Sequence, residues 1–312
     1  MRIVFIGTGE IGVPVLRALL HSRIHELVGV VTQPDRPVGR DQRIQSPPIK
    51  QALTKSSVPV FQPERIRHAE AVAQIHGLAP EVIIVMAYGQ ILPTSVLEIP
   101  TIACLNLHAS LLPRHRGAAP IQAAIVAGET ETGITVIYMD AGLDTGDILL
   151  QRKLEILPND TGGSLHDRLA QVAPDALRDA LGQLAEQTAP RHRQDATEAT
   201  YAPRLTREAG QIDWSETAEM IERKIRAFDP WPGAFTRLIE TAGKTRHLKI
   251  FRAALAAALS GAPGTVATPN DSELLVAAGQ GALRLEEVQL EGKRRMAAAE
   301  FLRGFSSPSA FF

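Results

Sequence analysis

Asn106 and His108 are the residues whose types and spacing most directly suggest chemistry. Both lie near the end of the apolar run within Ala103–Pro113. Residues two apart in a β-strand point to the same face, so an extended segment would present both polar side chains together. A buried strand has little reason to carry two such groups unless something uses them. The alternative is that both side chains only hydrogen-bond the following loop.

Three aspartates and two glycines follow the next apolar run, in the loop Met139–Asp147. Their spacing does not match the alternating oxygen ligands of an EF-hand, so we expect no metal here. A carboxylate in this loop could instead reach the imidazole of His108 from a neighbouring strand end. It would hold the tautomer that acid–base chemistry near neutral pH requires. An ordinary Asp-Gly turn is an equally compatible interpretation.

The first half of the chain contains the elements that would position these residues. Short β-branched runs alternate with amphipathic stretches, which predicts βαβ units on a parallel sheet buried on both faces. In such sheets ligands bind beyond the carboxyl ends of the strands. The predicted strands are Ile3–Ile6, Leu27–Thr32, Val82–Met86, Ala103–His108 and Ile134–Met139, and the predicted helices are Pro14–Leu20, Glu70–His76 and Ala119–Ala127.

The second half predicts a long helix, a polar connection and a small β-rich domain. The helix covers Ser164–Glu186, and Gln187–Pro203 is expected to be an exposed connection between domains. After a helix over Ala218–Phe228, strand-like pieces recur with the rhythm of a five-stranded barrel. Trp231 is expected to be a core anchor rather than a platform on which a base stacks. The strand-like pieces are Phe235–Ile239, Leu248–Phe251, Gly264–Val266, Leu274–Ala277 and Leu283–Leu290.

Bulk composition excludes several classes of protein. The formal net charge of the 312 residues is −1, so nucleic-acid binding would depend on a local patch. No run approaches the ~20 apolar residues that span a membrane, and the first residues are interrupted too early for a signal peptide. The single cysteine, Cys104, excludes a disulfide framework and is expected to be inert packing. These features predict a cytoplasmic protein.

A glycine pattern after the first strand, Gly7–Gly12, resembles a dinucleotide-binding motif. That motif also requires an acidic residue at the end of the next strand, about 20 residues further on. The sequence has Val30–Pro34 there, and Asp35 comes late. A nicotinamide-dependent oxidoreductase is therefore only a weak alternative.

Two basic segments could bind phosphates. The long loop Gln33–Lys50 lacks periodicity and carries four basic and two acidic residues. Residues 223–252 carry eight basic residues against two acidic ones, about +6 within a chain of −1. A solvated surface explains either segment equally well.

Together these segments resemble the methionyl-tRNA formyltransferase family along nearly the whole chain. The Asn-x-His, Ser-Leu-Leu-Pro and Asp signals are common to folate-dependent formyltransferases, and the other stretches narrow the resemblance to the tRNA enzymes. Departures are Gly9, Ile11 and His115, where the family usually has Pro, Phe and often Trp. The shared stretches are 31–37, 87–93, 106–113, 116–122, 142–147, 212–215, 225–228 and 230–232.

The resemblance implies a Rossmann-like, parallel-sheet formyltransferase domain over residues 1–187, a linker over 188–203 and an OB-like tRNA-binding barrel over 204–312. It implies transfer of the formyl group of 10-formyltetrahydrofolate to the α-amine of methionine on initiator tRNA, in translation initiation. No metal or membrane is needed, and a monomer is expected. Rival interpretations are an amino-sugar nucleotide or ribotide as the acceptor, and a catalytically silent tRNA-binding protein.

The resemblance also implies residue roles. Asn106, His108 and Asp144 would be catalytic. The folate would contact Ala87, Tyr88, Gly89, Gln90, Ile91, Leu92, Ser110, Leu111, Leu112, Pro113, Asp140, Ala141, Gly142 and Leu143. The tRNA would contact Arg36, Arg40, Arg43, Lys50, Arg223, Lys224, Arg226, Lys244, Arg246 and Lys249.

Overall fold

Two compact units make up the chain. The structure, a computed structural model, describes residues 1–39, 41–239, 245–270, 272–304 and 311. Unit 1 consists of Met1–Pro120, Glu131–Glu155 and His166–Ala202. Unit 2 consists of Ile121–Thr130, Ile156–Leu165 and Pro203–Phe312.

Unit 1 contains a seven-stranded sheet with the order β10-β9-β7-β6-β1-β2-β5. Its inner strands are apolar runs buried on both faces, as a parallel sheet requires. Two short strand pairs, β3–β4 and β8–β11, lie outside it. The strands are β1 Arg2–Gly7, β2 Glu26–Val31, β3 Arg36–Val38, β4 Arg43–Gln45, β5 Val60–Phe61, β6 Val82–Met86, β7 Ala103–His108, β8 Arg116–Gly117, β9 Glu131–Tyr138, β10 Ile148–Glu155 and β11 Tyr201–Ala202.

Helices connect these strands, and several coincide with the predicted ones. The first predicted helix begins one residue early, with Pro14 in its first turn, where a missing N–H costs no hydrogen bond. The long predicted helix also forms and contains Pro174. The helices are α1 Val13–Leu20, α2 Pro48–Ala52, α3 Ala69–Gly77, α4 Thr94–Leu97, α5 Pro120–Ala127 and α6 Gly162–Ala185.

The direction of β9 differs from the predicted parallel series. Strands β5, β2, β1, β6 and β7 are parallel to one another. Strand β9 runs antiparallel to β7, with His108 opposite Thr135 and Leu105 opposite Tyr138. A run buried on both faces carries no signal for direction, which explains the difference.

The basic loop Gln33–Lys50 also differs from its prediction, because part of it forms a hairpin. Strands β3 and β4 pair antiparallel, with Arg36 opposite Gln45 and Val38 opposite Arg43. Pro37 removes a ladder donor, and the two short strands bury no continuous apolar face, so the sequence shows no alternation. Arg40 lies outside the described residues.

Unit 2 contains an antiparallel half-barrel with the strand order β12-β13-β16-β15-β14, and β17 pairs with β16. Helix α7 packs on β13, and the core includes Trp214, Ile221 and Leu248. Each of the five predicted strands overlaps an observed one, although β14 shares only Val266 with its prediction and β13 extends beyond both ends of its prediction. Strand β17 and helix α8 were not predicted. The elements are α7 Ala218–Ala227, β12 Ala234–Ile239, β13 Thr245–Ala256, β14 Val266–Ala267, β15 Leu274–Ala277, β16 Ala282–Leu290, β17 Met296–Ala297 and α8 Ala298–Gly304.

The tryptophan that anchors unit 2 is Trp214. Its indole Nε1 donates to Thr236 Oγ1 at 2.9 Å, and its ring centroid lies 6.0 Å from that of Phe311. Trp231 is 49% exposed, so the prediction that it is a core anchor is wrong. The indole of Trp214 is buried because Thr236, on strand β12, satisfies its one donor.

Candidate active site

Asp144 is the point at which the two polar side chains of β7 meet the loop after β9. Asn106 Nδ2 donates to Asp144 Oδ1 at 3.3 Å. His108 Nδ1 lies 3.6 Å from Asp144 Oδ2, and the backbone N–H of Gly117 donates to the same oxygen at 2.9 Å. The structure therefore brings the three predicted catalytic side chains into one set of polar contacts.

The proton positions on His108 follow from its second contact. His108 Nε2 lies 2.8 Å from the carbonyl oxygen of His115. A carbonyl oxygen can only accept, so Nε2 must carry a hydrogen. The other nitrogen, Nδ1, faces Asp144 and is the one that can gain or lose a proton. The side chains of His108 and Asp144 are only 6% and 13% exposed, which strengthens their electrostatic interaction.

The loop 139–147 reaches the site by turning back along the sheet. Because β9 is antiparallel to β7, the loop begins beside Cys104, whose carbonyl accepts from the N–H of Met139 at 2.8 Å. Asp140 Oδ1 accepts from the N–H of Gly142 at 3.0 Å and holds the turn. Asp144 itself has a φ of 54°. Asp144 was predicted to reach His108 directly from the end of a neighbouring strand. It instead reaches His108 because the loop folds back along β7.

The segment 188–203, which was expected to be an exposed connection, is exposed at most of its residues but supports this arrangement through Gln194 and Ala202, which are buried. Its carbonyl at Thr200 accepts from the N–H of Arg116 at 2.8 Å, and β11 pairs with β8 in parallel. Gln194 is 8% exposed and contacts Arg116, 78 positions earlier in the chain. That distant pairing allows a polar side chain to be buried, so no local sequence pattern could have revealed it.

The residues predicted to bind folate divide into accessible and buried ones. Tyr88 and Leu92 lie in the core, as do Ser110 and Leu112, so their side chains are not available to a ligand. The side chain of Ile91 is 82% exposed. The others that the structure places at the surface are Ala87, Gly89, Asp140, Ala141, Gly142 and Leu143, and those of intermediate exposure are Gln90, Leu111 and Pro113.

The turn after β6 is held by side chains from other parts of unit 1. Thr8 Oγ1 and Gln33 Nε2 both donate to the carbonyl of Tyr88, at 2.9 and 3.2 Å. Ala87 and Gly89 adopt φ values of 49° and 86°. The backbone groups of this turn are therefore held in a defined conformation.

Two buried groups near the site are unsuited to acid–base or nucleophilic roles. Burial raises the pKa of the Cys104 thiol to about 12, which leaves almost no thiolate near neutral pH. Burial also raises the pKa of Tyr88 to about 12. Cys104 is thus inert packing, as its apolar surroundings in the sequence predicted.

Lys50, a predicted tRNA contact, anchors the base of the hairpin. Its Nζ lies 2.8 Å from Asp35 Oδ2, and Gln62 Nε2 donates to Asp35 Oδ1 at 2.8 Å. The hydrogen bond from Gln62, and then that from Lys50, holds the pKa of Asp35 below its usual range. Arg36 is exposed, and the Arg43 side chain is 81% exposed.

Several basic residues of unit 2 already have partners. Lys224 Nζ lies 2.5 Å from Glu216 Oε1, and Arg226 Nε lies 2.5 Å from Glu222 Oε1. Glu216 and Glu222 lie outside residues 223–252 and were not included in the charge count of that segment. The count therefore overstated its unpaired positive charge. Arg246 donates to the carbonyl of Glu291, the guanidinium of Arg223 lies against Gly128, and Lys244 is outside the described residues.

The exposed face of β12 and β13 carries further basic and aromatic groups. Lys249 is exposed and lies opposite Phe235, and Arg237 is exposed and lies opposite His247. The Phe235 and His247 rings stack with centroids 5.2 Å apart. Arg237 was counted in the basic segment but not singled out, because its exposure depends on the strand's orientation.

A cavity of about 950 Å³ opens beside the hairpin, at the carboxyl ends of β1 and β2. The described residues that line it do not include the three predicted catalytic side chains. They include Thr8, Arg17, Gln33, Arg36, Gln45 and His166. Within the described ranges, no group of three or more His, Cys, Asp or Glu side chains could hold a metal ion, and no helix is long and apolar enough to cross a membrane.

Comparisons with known proteins place both units among formyltransferases. Residues 1–181 match the family model described as formyl transferase, and residues 204–306 match the model described as its C-terminal domain. A methionyl-tRNA formyltransferase of Geobacter sulfurreducens is 46% identical over 305 residues, covering 98% of this chain and 94% of the relative.

Solved structures show the same fold at low identity. The sugar 3N-formyltransferase WlaRD, determined in the presence of dTDP and 5-N-formyl-THF, has a TM-score of 0.66 at 18% identity and covers 94% of this chain and 99% of that one. HypX of Aquifex aeolicus in complex with tetrahydrofolic acid has a TM-score of 0.61 at 19% identity. That likeness covers 97% of this chain but only 48% of the longer HypX chain.

Proposed function

Since this chain belongs to the methionyl-tRNA formyltransferase family and formylates methionyl-tRNA, we propose that the donor is 10-formyltetrahydrofolate and the acceptor is the methionine α-amine on initiator tRNA. The observation that carries the site assignment is the convergence of Asn106, His108 and Asp144. Bound folate supplies an electrophilic formyl carbon, and the side chains of the protein stabilise the developing charge and move the protons.

Asn106 stabilises the negative charge that develops on the formyl oxygen when the amine attacks. Its amide has two N–H groups, and one of them donates to Asp144 Oδ1 at 3.3 Å. The contact with Asp144 orients the amide so that the second N–H can donate to the oxyanion. Such a preoriented donor is worth ~10²–10³ in rate.

His108 and Asp144 handle the protons. Because Nε2 of His108 donates to the His115 carbonyl, proton exchange takes place at Nδ1, on the side of Asp144. A proton on Nδ1 can stabilise the oxyanion and pass to the departing nitrogen. Asp144 helps to take the proton of the attacking amine. The scheme uses no metal.

The proposed folate position rests on two exposed apolar side chains beside constrained backbone. Ile91 is 82% exposed and Leu143 is 53% exposed, so both residues are accessible to the apolar part of a ligand. The turn 87–90 and the loop 139–143 supply backbone donors and acceptors. We place the pteridine against these backbone groups and the apolar part of the folate against the exposed side chains.

The acceptor end of the tRNA is proposed to approach along the hairpin β3–β4. Exposed Arg36 and Arg43, together with Arg40, would contact its phosphates, and Lys50 would hold the hairpin through Asp35. On unit 2, the exposed Arg237 and Lys249 are better placed to meet phosphates than the ion-paired Lys224 and Arg226. The remaining candidates there are Arg223, Lys244 and Arg246.

The proposed division of labour assigns catalysis to residues 1–187 with the segment 188–203, and tRNA binding to residues 204–312. Packing of the segment 188–203 around Gln194 supports its inclusion with the catalytic residues. The chain is further proposed to act as a monomer in the cytoplasm. Light scattering of the purified protein, alone and with tRNA, tests the monomer.

Formylation of charged tRNA tests the function directly. The purified protein is mixed with 10-formyltetrahydrofolate and methionine-charged initiator tRNA, and base-stable formyl-methionine is counted. Charged elongator methionine tRNA is the matched control. Product on the initiator and little on the elongator supports the donor and acceptor together. Folate binding without product on either tRNA contradicts the acceptor and points to a sugar nucleotide or ribotide amine.

A further inference from the structure

Gln194 lies behind Asp144 and contacts the backbone of its turn. The Nε2 group donates to the carbonyl of Asp144 at 2.8 Å and to the carbonyl of Gly146 at 2.7 Å. Asp144 has a φ of 54°, which non-glycine residues adopt only where the surroundings hold them. The two hydrogen bonds are therefore well placed to hold that conformation.

A buried arginine fixes the orientation of the Gln194 amide. Arg116 is 5% exposed, and its Nε and Nη2 donate to Gln194 Oε1 at 3.1 and 2.7 Å. A guanidinium has only donors, so the amide oxygen must face it and the amide nitrogen must face the two carbonyls. Among the described residues, no carboxylate forms an ion pair with Arg116. A buried cation without a countercharge is costly, which makes a purely structural purpose hard to justify.

The same region also holds the Asp144 carboxylate. Gly117, the residue after Arg116, donates its N–H to Asp144 Oδ2 at 2.9 Å. The N–H of Arg116 is in turn bound by the carbonyl of Thr200 at 2.8 Å. Asp144 is thus held through its backbone by Gln194 and through its side chain by the strand pair β8–β11.

We infer that Gln194 and Arg116 are positioning residues, which set the place of Asp144 relative to Asn106 and His108 without touching either substrate. This inference rests on the proposed role of Asp144. Its consequence is that one residue of the segment 188–203, Gln194, contributes to the placement of a catalytic side chain. A loss of either partner displaces Asp144, and a misplacement of about 1 Å can cost about 10² in rate.

A double-mutant cycle on kcat tests the inference. Gln194→Met keeps the length of the side chain and removes all of its hydrogen bonds. We expect it to lower kcat about 10- to 100-fold, with the KM for folate and for tRNA changed less than about twofold. In an Asp144→Asn background the same substitution should change kcat less than about twofold, because its effect passes through Asp144.

Two further variants keep the test decisive. Gln194→Glu retains an acceptor for Arg116 but turns an oxygen toward the two carbonyls. It should therefore lower kcat by a similar factor to Gln194→Met. It replaces Gln194→Met in the comparison if that variant does not fold. Asp195→Ala removes only the hydrogen bonds to Thr197 on the same segment and should leave kcat within about twofold of wild type.

The outcomes separate the inference from the function on which it rests. An equal loss of kcat in both backgrounds, no loss in the native background, or a matching loss in Asp195→Ala overturns the positioning role. An Asp144→Asn variant with normal kcat would instead overturn the proposed role of Asp144. Thermal midpoints are measured for every variant, so that loss of folded protein is not counted as loss of rate.

Discussion

The carbonyl of His115 decides which nitrogen of His108 carries a fixed hydrogen. By holding the proton on Nε2, it leaves Nδ1 to exchange protons next to Asp144. His115 itself adopts a φ of 60°. Because His115 makes this contact through its backbone, we expect that Trp at this position, which the resemblance often implies, would leave the tautomer of His108 unchanged.

Removal of each catalytic side chain should lower the rate and spare folate binding. We expect Asn106→Ala to lower kcat by ~10²–10³, because an oxyanion donor is lost. His108→Ala and Asp144→Ala should lower it by ~10²–10⁴, because acid–base help is lost. Single-turnover formylation gives the rates, and calorimetric titration with folate gives the affinities. Near-normal turnover in any variant would remove that residue from the mechanism.

Asp35 should titrate below the ordinary aspartate range, because Gln62 and Lys50 stabilise its carboxylate. A lowered pKa means that ionised Asp35 stabilises the folded hairpin above the usual pKa of about 3.9, and that this stabilisation is lost as the pH falls through the lowered value. Gln62→Met should raise the pKa of Asp35, as measured by carbon-13 NMR of its carboxyl group. An unchanged titration curve would show that Gln62 does not hold this anchor.

At the level of elements, the strands and helices around the site were largely predictable from the sequence. Strand β7 forms over the predicted residues, because its apolar run and polar end are local signals. The direction of β9 and the burial of Gln194 were not predictable, since both depend on partners far along the chain. Of the candidate site, the three side chains that the structure brings together could be predicted, but the backbone groups that hold them could not.

Strand β8 should tolerate no side chain at Gly117. Its φ is 114°, and a Cβ there would lie 2.7 Å from the carbonyl oxygen of Ala202 on β11. Gly117→Ala should therefore reduce the free energy of unfolding by about 1–3 kcal/mol and lower kcat, because the N–H bound to Asp144 shifts. Denaturant unfolding and kcat are measured together.

Gly182 provides the matched control for that substitution. It lies in helix α6, and a Cβ there would meet nothing within 4 Å. Gly182→Ala should raise the free energy of unfolding by about 0.5–1 kcal/mol and leave kcat unchanged. If both variants behaved alike, the proposed clash with Ala202 would be wrong.

The exposed face of β12 and β13 should contribute to tRNA affinity more than helix α7 does. Lys249→Ala and Arg237→Ala should each weaken tRNA binding and reduce the slope of log affinity against log salt by about 1. Lys224→Ala should change that slope less, because Lys224 is paired with Glu216. Filter binding at several salt concentrations gives the slopes, and equal slopes for all three variants would contradict this surface.

At the scale of the whole molecule, the chain passes between the two units after residues 120, 130, 155, 165 and 202. The family models divide the chain near residues 181 and 204, but the segments 121–130 and 156–165 belong to unit 2. In unit 2, the N–H of Ile156 donates to the carbonyl of Thr130 at 2.9 Å, and Arg226 donates to the carbonyl of Asp160 at 3.0 Å.

A fragment of residues 1–203 should therefore fold poorly, although it ends at a family boundary. It retains Ile121 and Ile125, which are 7% and 1% exposed in the whole chain, but lacks most of unit 2. Exposed apolar surface of this kind promotes association. Size-exclusion chromatography and circular dichroism should show aggregation or loss of helix, and a monomeric, fully helical fragment would contradict this expectation.

The repeated passage of the chain between units also restricts how such a protein can evolve. A single recombination event near residue 203 would join the C-terminal part of one parent to the segments 121–130 and 156–165 of another. A change in residues 203–312 should therefore favour compensating changes in those two segments, even though both precede residue 203 in the sequence. We therefore expect substitutions in the two segments to correlate with substitutions in residues 203–312 among related proteins.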